Sequence, residues 1–427
     1  MPTTDINKIN WPDGNTTVLH DSRCDGVVDA VDAIIGGAFI APKRDVNFYD
    51  YDGTIVRSYT ASDFANLSAM PANPSHDGLT AQGWNWTLSN AKTYVASYGR
   101  LNIGQMYVTS DSKTRLYIAL TEGRTSPILK LTLASGSEVD VDWGDGTAHD
   151  TLSGSGTKTT NRHEYATAGS YVIAITVSIG SITIPQYVLG DGESSSSSPD
   201  RAYLNAIKKV EIGNGVTSIG DSAFYNCFSL LSISIPNTVT SIGDSAFQYC
   251  SSLSFITIPN GVTNIDDNAF YNCYSLLSVA IPISVTSIGE TAFRECRALQ
   301  SVTIPSAVTS IGSTAFRDCR SLSSVTIPSG VTGIGSNVFQ YCYSLAALTI
   351  PSSVTSIGEG AFQYCSAISS ITIPSNVTSI GSNAFQYCYS LATITILGKS
   401  SGDISGSPWG ANTGSPTYTQ VIWENDQ

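Results

Sequence analysis

The chain has 427 residues, of which 13% are charged, with a formal net charge of −13 at pH 7 and a pI near 4.6. That length suffices for two to four domains, and the negative charge disfavours duplex nucleic acid and anionic membranes as partners. No segment approaches the roughly 18 apolar residues of a membrane span, and the N-terminus lacks the basic and apolar regions of a secretory signal. We therefore expect no nucleic-acid partner and no membrane insertion.

Residues 1–45 carry few interpretable signals, and Cys24 in this segment has no readable role. Their position ahead of the folded modules predicts an N-terminal attachment segment.

Residues 46–114 are predicted to form a small α+β domain. The Asp52-Gly53 pair between two apolar runs predicts a hairpin of Val46–Tyr51 with Ile55–Tyr59. Ser62 is positioned to cap a short helix running to Met70. The segment Leu88–Tyr98 predicts a second helix that Gly99 ends. A second hairpin is predicted from Leu101–Val108 and Arg115–Leu120.

A D-x-D-G-T sequence within this segment, Asp50 to Thr54, resembles the nucleophile loop of haloacid-dehalogenase-type phosphatases. That resemblance implies Asp50 as nucleophile and Asp52 as acid/base. The family also needs a later Ser/Thr, a Lys and a paired-Asp motif on successive strands, and the roughly 60 residues that follow contain no paired Asp. We therefore interpret the motif as a hairpin turn.

Residues 115–189 contain two segments, Val139–Thr147 and His163–Val177, that resemble the two halves of a PKD-type domain. The resemblance implies an immunoglobulin-like β-sandwich, with Trp143 at the centre of its core. His163 is predicted to make a structural hydrogen bond. Asp140, Asp142 and Asp145 are the alternative candidates for a calcium site, although their spacing is not that of an EF-hand.

A Ser-rich linker at 190–200 precedes the most regular part of the chain, a 23-residue repeat in which Cys and Phe recur without a slip. Such strict self-similarity predicts a solenoid, because one unit cannot bury its apolar side alone. The cysteines are Cys227, Cys250, Cys273, Cys296, Cys319, Cys342, Cys365 and Cys388. The phenylalanines are Phe224, Phe247, Phe270, Phe293, Phe316, Phe339, Phe362 and Phe385.

The repeat L-x-x-I-x-I-P-x-x-V-T-x-I-G-x-x-A-F-x-x-C resembles the BspA-like class of leucine-rich repeat, which is common on bacterial surface proteins. We assign the solenoid to residues 201–397, beginning with a degenerate copy in which Leu204, Ile207, Val210 and Ile212 hold the core columns. Residues 398–427, with Trp409 and Trp423, are predicted to cap the other end. The fold class is multidomain and mainly β. Nine strands at roughly 4.8 Å per coil predict a stack about 40 Å long.

The cysteine column predicts a row of inward-pointing thiols. Parallel side-chain vectors disfavour disulfides, and a straight row has the wrong shape for tetrahedral zinc. We expect free, buried, structural thiols, and neither a metal nor another cofactor.

The copies differ mainly at the two residues after each Phe and the one after each Cys. Stacking these columns predicts a ridge with two aromatic zones around an Arg-rich band, a composition typical of binding surfaces. The alternative is that these residues only shield the corners of the coils. Neighbouring strand positions are Ser, Thr and Ala, which predicts a solvated face. The candidate binding residues are Tyr225, Phe228, Tyr249, Tyr271, Tyr274, Arg294, Arg297, Arg317, Arg320, Tyr341, Tyr343, Tyr364, Tyr387 and Tyr389.

No catalytic motif accompanies the four scattered histidines, so we predict a non-enzymatic adhesion or recognition protein. The module order resembles proteins of gut bacteriophages and prophages. This implies a virion protein, a head or tail fibre or decoration protein, docked on other virion proteins by its N-terminal region. Its partner would be a host surface protein or glycan. A homo-oligomer is a further assembly that the resemblance allows. The alternative is a bacterial cell-surface adhesin; a third hypothesis, a glycan depolymerase, has only Glu295 and Asp318 as candidate carboxylates.

Overall fold

The computed structural model describes residues 8–10, 16–18, 45–190, 203–412 and 419–427. The chain divides into two compact units, Met1–Arg44 and Asp45–Gln427. In the first unit, β1 (Lys8–Asn10) pairs antiparallel with β2 (Thr16–Val18). The rest of the predicted attachment segment, Cys24 and almost all of the Ser-rich linker lie outside the described residues.

Residues 46–109 form a four-stranded sheet of order β4-β3-β6-β5 with two helices. The strand β6 pairs parallel with β3 and antiparallel with β5. The elements are β3 (Val46–Tyr49), β4 (Ile55–Tyr59), α1 (Ala61–Ala65), β5 (Leu79–Trp84), α2 (Leu88–Tyr98) and β6 (Leu101–Thr109). The first hairpin and α2, which ends at a left-handed Gly99, form as predicted.

Two local predictions in this region were wrong. The helix α1 is capped by Thr60, whose side chain accepts a hydrogen bond from the Asp63 amide, and it ends well before Met70. The strand β6 does not form a hairpin with β7 (Thr114–Leu120), because β7 pairs instead with β12 and β15 further along the chain.

The next strands build two sheets over one core. Val139, Val141 and Trp143 are buried in that core, where Trp143 was expected. The sheet orders are β10-β9-β12-β7-β15-β17 and β11-β8-β13-β16-β18, with β14 added beside β8. The strands are β8 (Ile128–Leu133), β9 (Glu138–Asp142), β10 (Asp150–Ser153), β11 (Lys158–Arg162), β12 (Gly169–Ile179), β13 (Ile182–Ile184) and β14 (Leu189–Gly190).

Both sheets continue directly into the solenoid. The strand β15 pairs antiparallel with β7 on one side and parallel with β17 on the other. The strand β13 pairs parallel with β16, which pairs with β18. One continuous core therefore runs from Leu116 to Ala411.

The solenoid alternates two short strands per 23-residue coil, and the coils are numbered 1–8 by their cysteines, Cys227 to Cys388. The odd-numbered strands form one side, which we call the strand face: β15 (Ile207–Glu211), β17 (Ser232–Ser234), β19 (Phe255–Thr257), β21 (Ser278–Ala280), β23 (Ser301–Val302), β25 (Ser324–Thr326), β27 (Ala347–Thr349), β29 (Ser370–Ile373) and β31 (Thr393–Ile396).

The even-numbered strands form a second side, in parallel register from coil to coil, as in Ile265 beside Ile288. They are β16 (Val216–Ile219), β18 (Ser241–Ile242), β20 (Asn264–Ile265), β22 (Ser287–Ile288), β24 (Ser310–Ile311), β26 (Gly333–Ile334), β28 (Ser356–Ile357) and β30 (Ser379–Ile380). The predicted fold class, mainly β with a solenoid of 23-residue coils, is confirmed.

The end of the stack is closed by β32 (Gln420–Trp423), which pairs parallel with β31 and is followed by a 3₁₀ turn, Glu424–Asp426. Trp409 is buried against the last phenylalanine of the repeat, Phe385. No helix in the part of the chain that the structure describes has the length and apolar character needed to cross a membrane.

The strand face is not simply solvated, which corrects the expectation from its small residues. The sheet of residues 46–109 lies on it, with Gly104 so close that an added Cβ would meet Thr257 Oγ1 at 2.2 Å. Asn102 donates to the hydroxyls of Ser278 and Ser301. Further contacts are Tyr49 stacked on Phe255, Asn85 Nδ2 to Ala280 O, Trp86 Nε1 to Ile281 O and Tyr94 OH to Ile304 O. Small strand residues here allow a second sheet to approach closely.

Candidate functional site

The remaining side of each coil carries the candidate site, a surface made by the two residues after each Phe and the one after each Cys. We call it the Tyr/Arg ridge. Hydrogen bonds connect its backbone from coil to coil, since in coils 1–7 the second residue after the Phe donates its amide to a carbonyl of the next coil. Examples are Glu295 N to Arg317 O at 2.8 Å and Tyr364 N to Gln386 O at 2.9 Å. The side chains are therefore held at a fixed spacing, about 4.8 Å per coil.

Phenylalanines and cysteines under the ridge form its foundation. The Phe rings are fully buried and stack nearly parallel on one another, with centroids 5.3 to 5.8 Å apart. From coil 2 onward, each Cys Sγ donates a hydrogen bond to the Phe carbonyl of the preceding coil, as from Cys296 to Phe270 at 3.2 Å. All eight ladder thiols are free and buried, as the sequence predicts.

Burial also controls the acidity of these thiols. Desolvation raises the pKa of Cys296 and of Cys319 well above the usual thiol value. It raises the pKa of Cys388, in the last coil, to about 12. A protonated thiol is a weak nucleophile, so the ladder has a packing role.

The second residue after each Phe has a left-handed backbone in every coil. The φ angle is 64° at Asn226, 65° at Asn272 and 64° at Asp318, residue types that tolerate this region. It is also positive at Tyr249, Tyr341, Tyr364 and Tyr387, between 60° and 65°. For such L-residues the conformation costs about 1–2 kcal/mol. Tyrosine at these positions therefore carries a local backbone cost that Asn would largely avoid.

The aromatic zone of coils 6–8 is built from tyrosines in contact along the stack. The rings of Tyr341, Tyr364 and Tyr387 stack with centroids 4.7 and 4.4 Å apart. Beside them Tyr343 and Tyr389 are 37% and 41% exposed. The side-chain amides of Gln340, Gln363 and Gln386 form a hydrogen-bonded row next to the rings.

In coils 4 and 5 the ridge carries Arg294, Arg297, Arg317 and Arg320, which we call the arginine band. Each guanidinium lies over a tyrosine ring, with Cζ-to-centroid distances of 4.9 to 5.8 Å. The rings are those of Tyr271, Tyr274, Tyr341 and Tyr343 respectively. The band therefore joins the two aromatic zones into one continuous surface.

Two carboxylates orient the band. Glu295 accepts from Arg297 Nη2 at 3.0 Å and lies 3.7 Å from Arg294 Nη2. Asp318 accepts from Arg320 Nε at 2.6 Å. Both acids were named from the sequence as candidate carboxylates of a depolymerase but were not included among the binding residues. Their spacing of two residues before an Arg was the signal for their role in orienting the band.

The aromatic zone of coils 1–3 contains Tyr225, Phe228, Tyr249, Tyr271 and Tyr274. Tyr225 lies 5.5 Å from Tyr249, and Tyr249 lies 5.4 Å from Tyr271. Phe228 and Tyr274 are 38% and 40% exposed. The row is extended by Tyr187, 6.0 Å from Tyr225, which sequence reasoning missed. The sequence feature that could have identified Tyr187 is the Ile-x-Ile-Pro of residues 182–185, which matches the I-x-I-P of the repeat.

All fourteen predicted site residues lie at the surface, four exposed and ten half-buried. The structure brings them together as one strip rather than scattering them. Their role in binding stays a prediction.

The other sequence candidates have structural partners. Asp50, which is buried, lies 2.6 Å from His76 Nε2 in the hairpin turn. His163 lies 2.7 Å from Asp145 and stacks on Trp143. Burial raises the pKa of Asp145, but hydrogen bonds from Thr147 and His163 outweigh it and hold that pKa at about 2.

The carboxylates proposed for a calcium site lie beside histidine rings instead. Asp140 and Asp142 flank His149, at 2.9 and 3.5 Å from its ring nitrogens. Within the described ranges, no three His, Cys, Asp or Glu side chains converge to hold a metal ion.

Similar solved structures are bacterial repeat proteins. A leucine-rich repeat protein from Bacteroides ovatus is 26% identical, with 58% of this chain and 68% of that chain covered at a TM-score of 0.41. The leucine-rich repeat protein of T. pallidum is 28% identical, covering 47% and 90% at 0.34. A leucine-rich cell surface protein from Faecalibacterium prausnitzii is 25% identical, covering 57% and 91% at 0.31. No curated protein matches the chain.

The family model for the BspA-type leucine-rich repeat region matches residues 169–300 and 286–405, together more than half of the chain. This is the repeat whose Cys and Phe columns build the solenoid. The chain belongs to the BspA-type leucine-rich repeat family.

Proposed function

We propose that the protein is a non-enzymatic adhesion or recognition protein that binds a surface protein or glycan through the Tyr/Arg ridge. The observation that carries this proposal is the left-handed backbone of Tyr249, Tyr341, Tyr364 and Tyr387. Asn226 and Asn272 fill the same column at lower backbone cost, so the corner itself does not require tyrosine. Parallel ring stacking offsets that cost only where adjacent coils both carry tyrosine. A strained residue type that recurs at four surface positions points to a role for its side chain.

The variation along the ridge supports the same function. The interior columns are uniform, whereas the ridge changes from aromatic to arginine-rich to aromatic across the eight coils. Tyr and Arg give large contact areas with polar ends, as in binding hot spots.

The second part of the proposal concerns the particle or cell on which the protein is displayed. We place the protein on a virion, as a head or tail fibre or decoration protein, with residues 1–45 docked on the particle and the two-sheet region as a PKD-type spacer. The resemblance of its module order to proteins of gut bacteriophages supports this. The alternative carrier is a bacterial cell surface. Mass spectrometry of purified phage particles and of washed cell envelopes separates the two, because the protein will be recovered in only one of them.

Binding is tested by replacing Arg297, Arg320, Tyr341 and Tyr343 together with Ser and measuring retention of the fluorescent protein on a panel of gut bacteria. These side chains are exposed or half-buried, so the melting temperature should change little while retention on cells is lost. The matched control replaces Thr349 and Thr372, exposed on the strand face, with Ala. Undiminished retention of the ridge variant would refute the proposal.

A further inference from the structure

The charges of the solenoid are distributed unevenly. Between residues 210 and 398, every Lys or Arg belongs to the arginine band. The acidic residues of the same stretch number nine, and only Glu295 and Asp318 lie on the ridge. The ridge is therefore a positive strip of four arginines and two acids on a chain of net charge −13. A field of this kind draws an anionic ligand to one strip and repels it from the rest of the solenoid between residues 210 and 398, where the other charged residues are all acidic.

We propose that the arginine band binds the carboxylates of an acidic polysaccharide laid along the solenoid axis. This inference rests on the proposed recognition function and specifies the chemical class of its ligand. The guanidinium group matches a carboxylate because its N–H donors form a planar fork, and stacking on an aromatic ring leaves that hydrogen-bonding capacity in place.

The neighbours of the four arginines favour an incoming anion. Asp318 holds Arg320 and Glu295 holds Arg297, which orients both side chains before a ligand arrives. Among the described residues, Arg317 is within ion-pair distance of no carboxylate and instead lies 5.6 Å from the centroid of the Tyr341 ring. Two carboxylates for four guanidinium groups leave a net charge of +2 for the ligand to neutralise.

The shape of the strip favours a linear polymer of sugars. The exposed rings of Tyr274, Tyr343 and Tyr389 lie on both sides of the band, along one axis. Aromatic rings supply apolar contact area with a polar end, which suits the mixed surface of a sugar. A ligand with a repeating acidic sugar meets aromatic, cationic and aromatic sections in turn.

The test measures binding of the full chain to three carboxylate polymers: polygalacturonate, hyaluronate and polysialic acid. Fully methyl-esterified polygalacturonate supplies the same sugar without charge, and polyphosphate supplies charge without sugar. The expected result is binding of at least one carboxylate polymer, weakened by added salt. Binding should be at least about tenfold weaker to the ester, which offers no charge to the guanidinium groups, and to polyphosphate, which offers no sugar to the tyrosine rings.

Two double variants complete the experiment. Arg297→Gln with Arg320→Gln should weaken polymer binding by about tenfold or more. Arg57→Gln with Arg124→Gln removes the same charge from exposed positions outside the ridge and should leave binding unchanged. The inference is overturned if none of the three polymers binds, if ester or polyphosphate binds equally well, or if the two variants behave alike.

This failure is distinguishable from failure of the proposed function. If Tyr343→Ser with Tyr389→Ser abolishes retention on bacterial cells while no acidic polymer binds, recognition by the ridge stands and the acidic ligand is wrong. If neither the tyrosine nor the arginine variant changes retention on cells, both are wrong.

Discussion

At the scale of single residues, the backbone φ angle distinguishes one column of the ridge from the other two more clearly than side-chain exposure does. The left-handed column holds Asn in coils 1 and 3, acids in coils 4 and 5, and Tyr in the other four. The repeat pattern alone predicts that this column varies, but it does not predict the sign of φ. That sign depends on how the corner turns its amide toward the next coil.

This conformation gives a prediction for Tyr364. Tyr364→Asn loses two ring stacks, each about 0.5–1.5 kcal/mol, but gains a residue suited to the left-handed region, about 1 kcal/mol. Tyr364→Ala loses the stacks without that gain. We expect the Asn variant to be more stable than the Ala variant by about 1 kcal/mol in denaturant unfolding. An Ala variant of equal or higher stability would show that the tyrosine backbone is unstrained.

A second residue-scale prediction concerns the cysteine ladder. Burial denies reagents access to all eight described thiols. The raised pKa values of the seven thiols from Cys250 to Cys388 also keep those seven protonated at pH 8. A thiol reagent at that pH should therefore modify at most Cys24 in the native protein, and all nine cysteines in denaturant. Rapid native labelling of several thiols, located by peptide mapping, would contradict the buried ladder.

At the scale of elements, local signals predicted strands well and their partners poorly. Asp52-Gly53 specifies a hairpin because its turn joins adjacent strands, and that pairing forms. The strand β6 lies nearly next to β7 in the sequence, yet β7 pairs with β12 and β15, which are far along the chain. The sheet of residues 46–109 contacts the strand face through residues about 195 positions apart, such as Asn85 and Ala280. No local sequence pattern encodes these contacts.

Gly104 was the sequence signal for the contact between the sheet of residues 46–109 and the strand face, since glycine inside a strand marks close approach of another backbone. Gly104→Ser should force the covering sheet away from Thr257 and Ala280, at a cost of about 1–3 kcal/mol. Gly333→Ser makes the same chemical change where most other coils carry Ser and should be tolerated.

Hydrogen exchange of residues 46–109 measures the effect of both glycine variants. We expect faster exchange in the Gly104 variant alone. Equal protection in the two variants would mean that the covering sheet does not depend on this close contact.

At the scale of the whole molecule, the two-sheet region and the solenoid share one core rather than meeting at a linker. Leu116, Ile207 and Phe224 belong to the same buried cluster. Sequence patterns assign Leu116 to the sandwich, and Ile207 with Phe224 to the solenoid, because the repeat becomes degenerate before Val216, whereas hydrogen bonding between β7 and β15 does not follow periodicity. The Cys and Phe columns, by contrast, were predictable because repetition itself specifies their burial.

This continuity predicts the effect of truncation. A chain beginning at residue 203 exposes the edge of β15 and the end of the core, and uncapped repeat stacks associate. We expect it to aggregate in sedimentation velocity, while a chain beginning at residue 45 stays folded with the melting temperature of the same region in the full protein. A monodisperse 203–427 fragment of unchanged stability would contradict a shared core.

The central claim is that ligand contact occurs on the Tyr/Arg ridge and not on the strand face. Hydroxyl-radical footprinting of the full chain, free and bound to bacterial cells that retain it, tests this directly because tyrosines throughout the fold report on solvent access. We predict protection of Tyr274, Tyr343 and Tyr389 on binding, with no change at Tyr117 or Tyr171. Unchanged labelling of the ridge tyrosines, with protection elsewhere, would contradict the account.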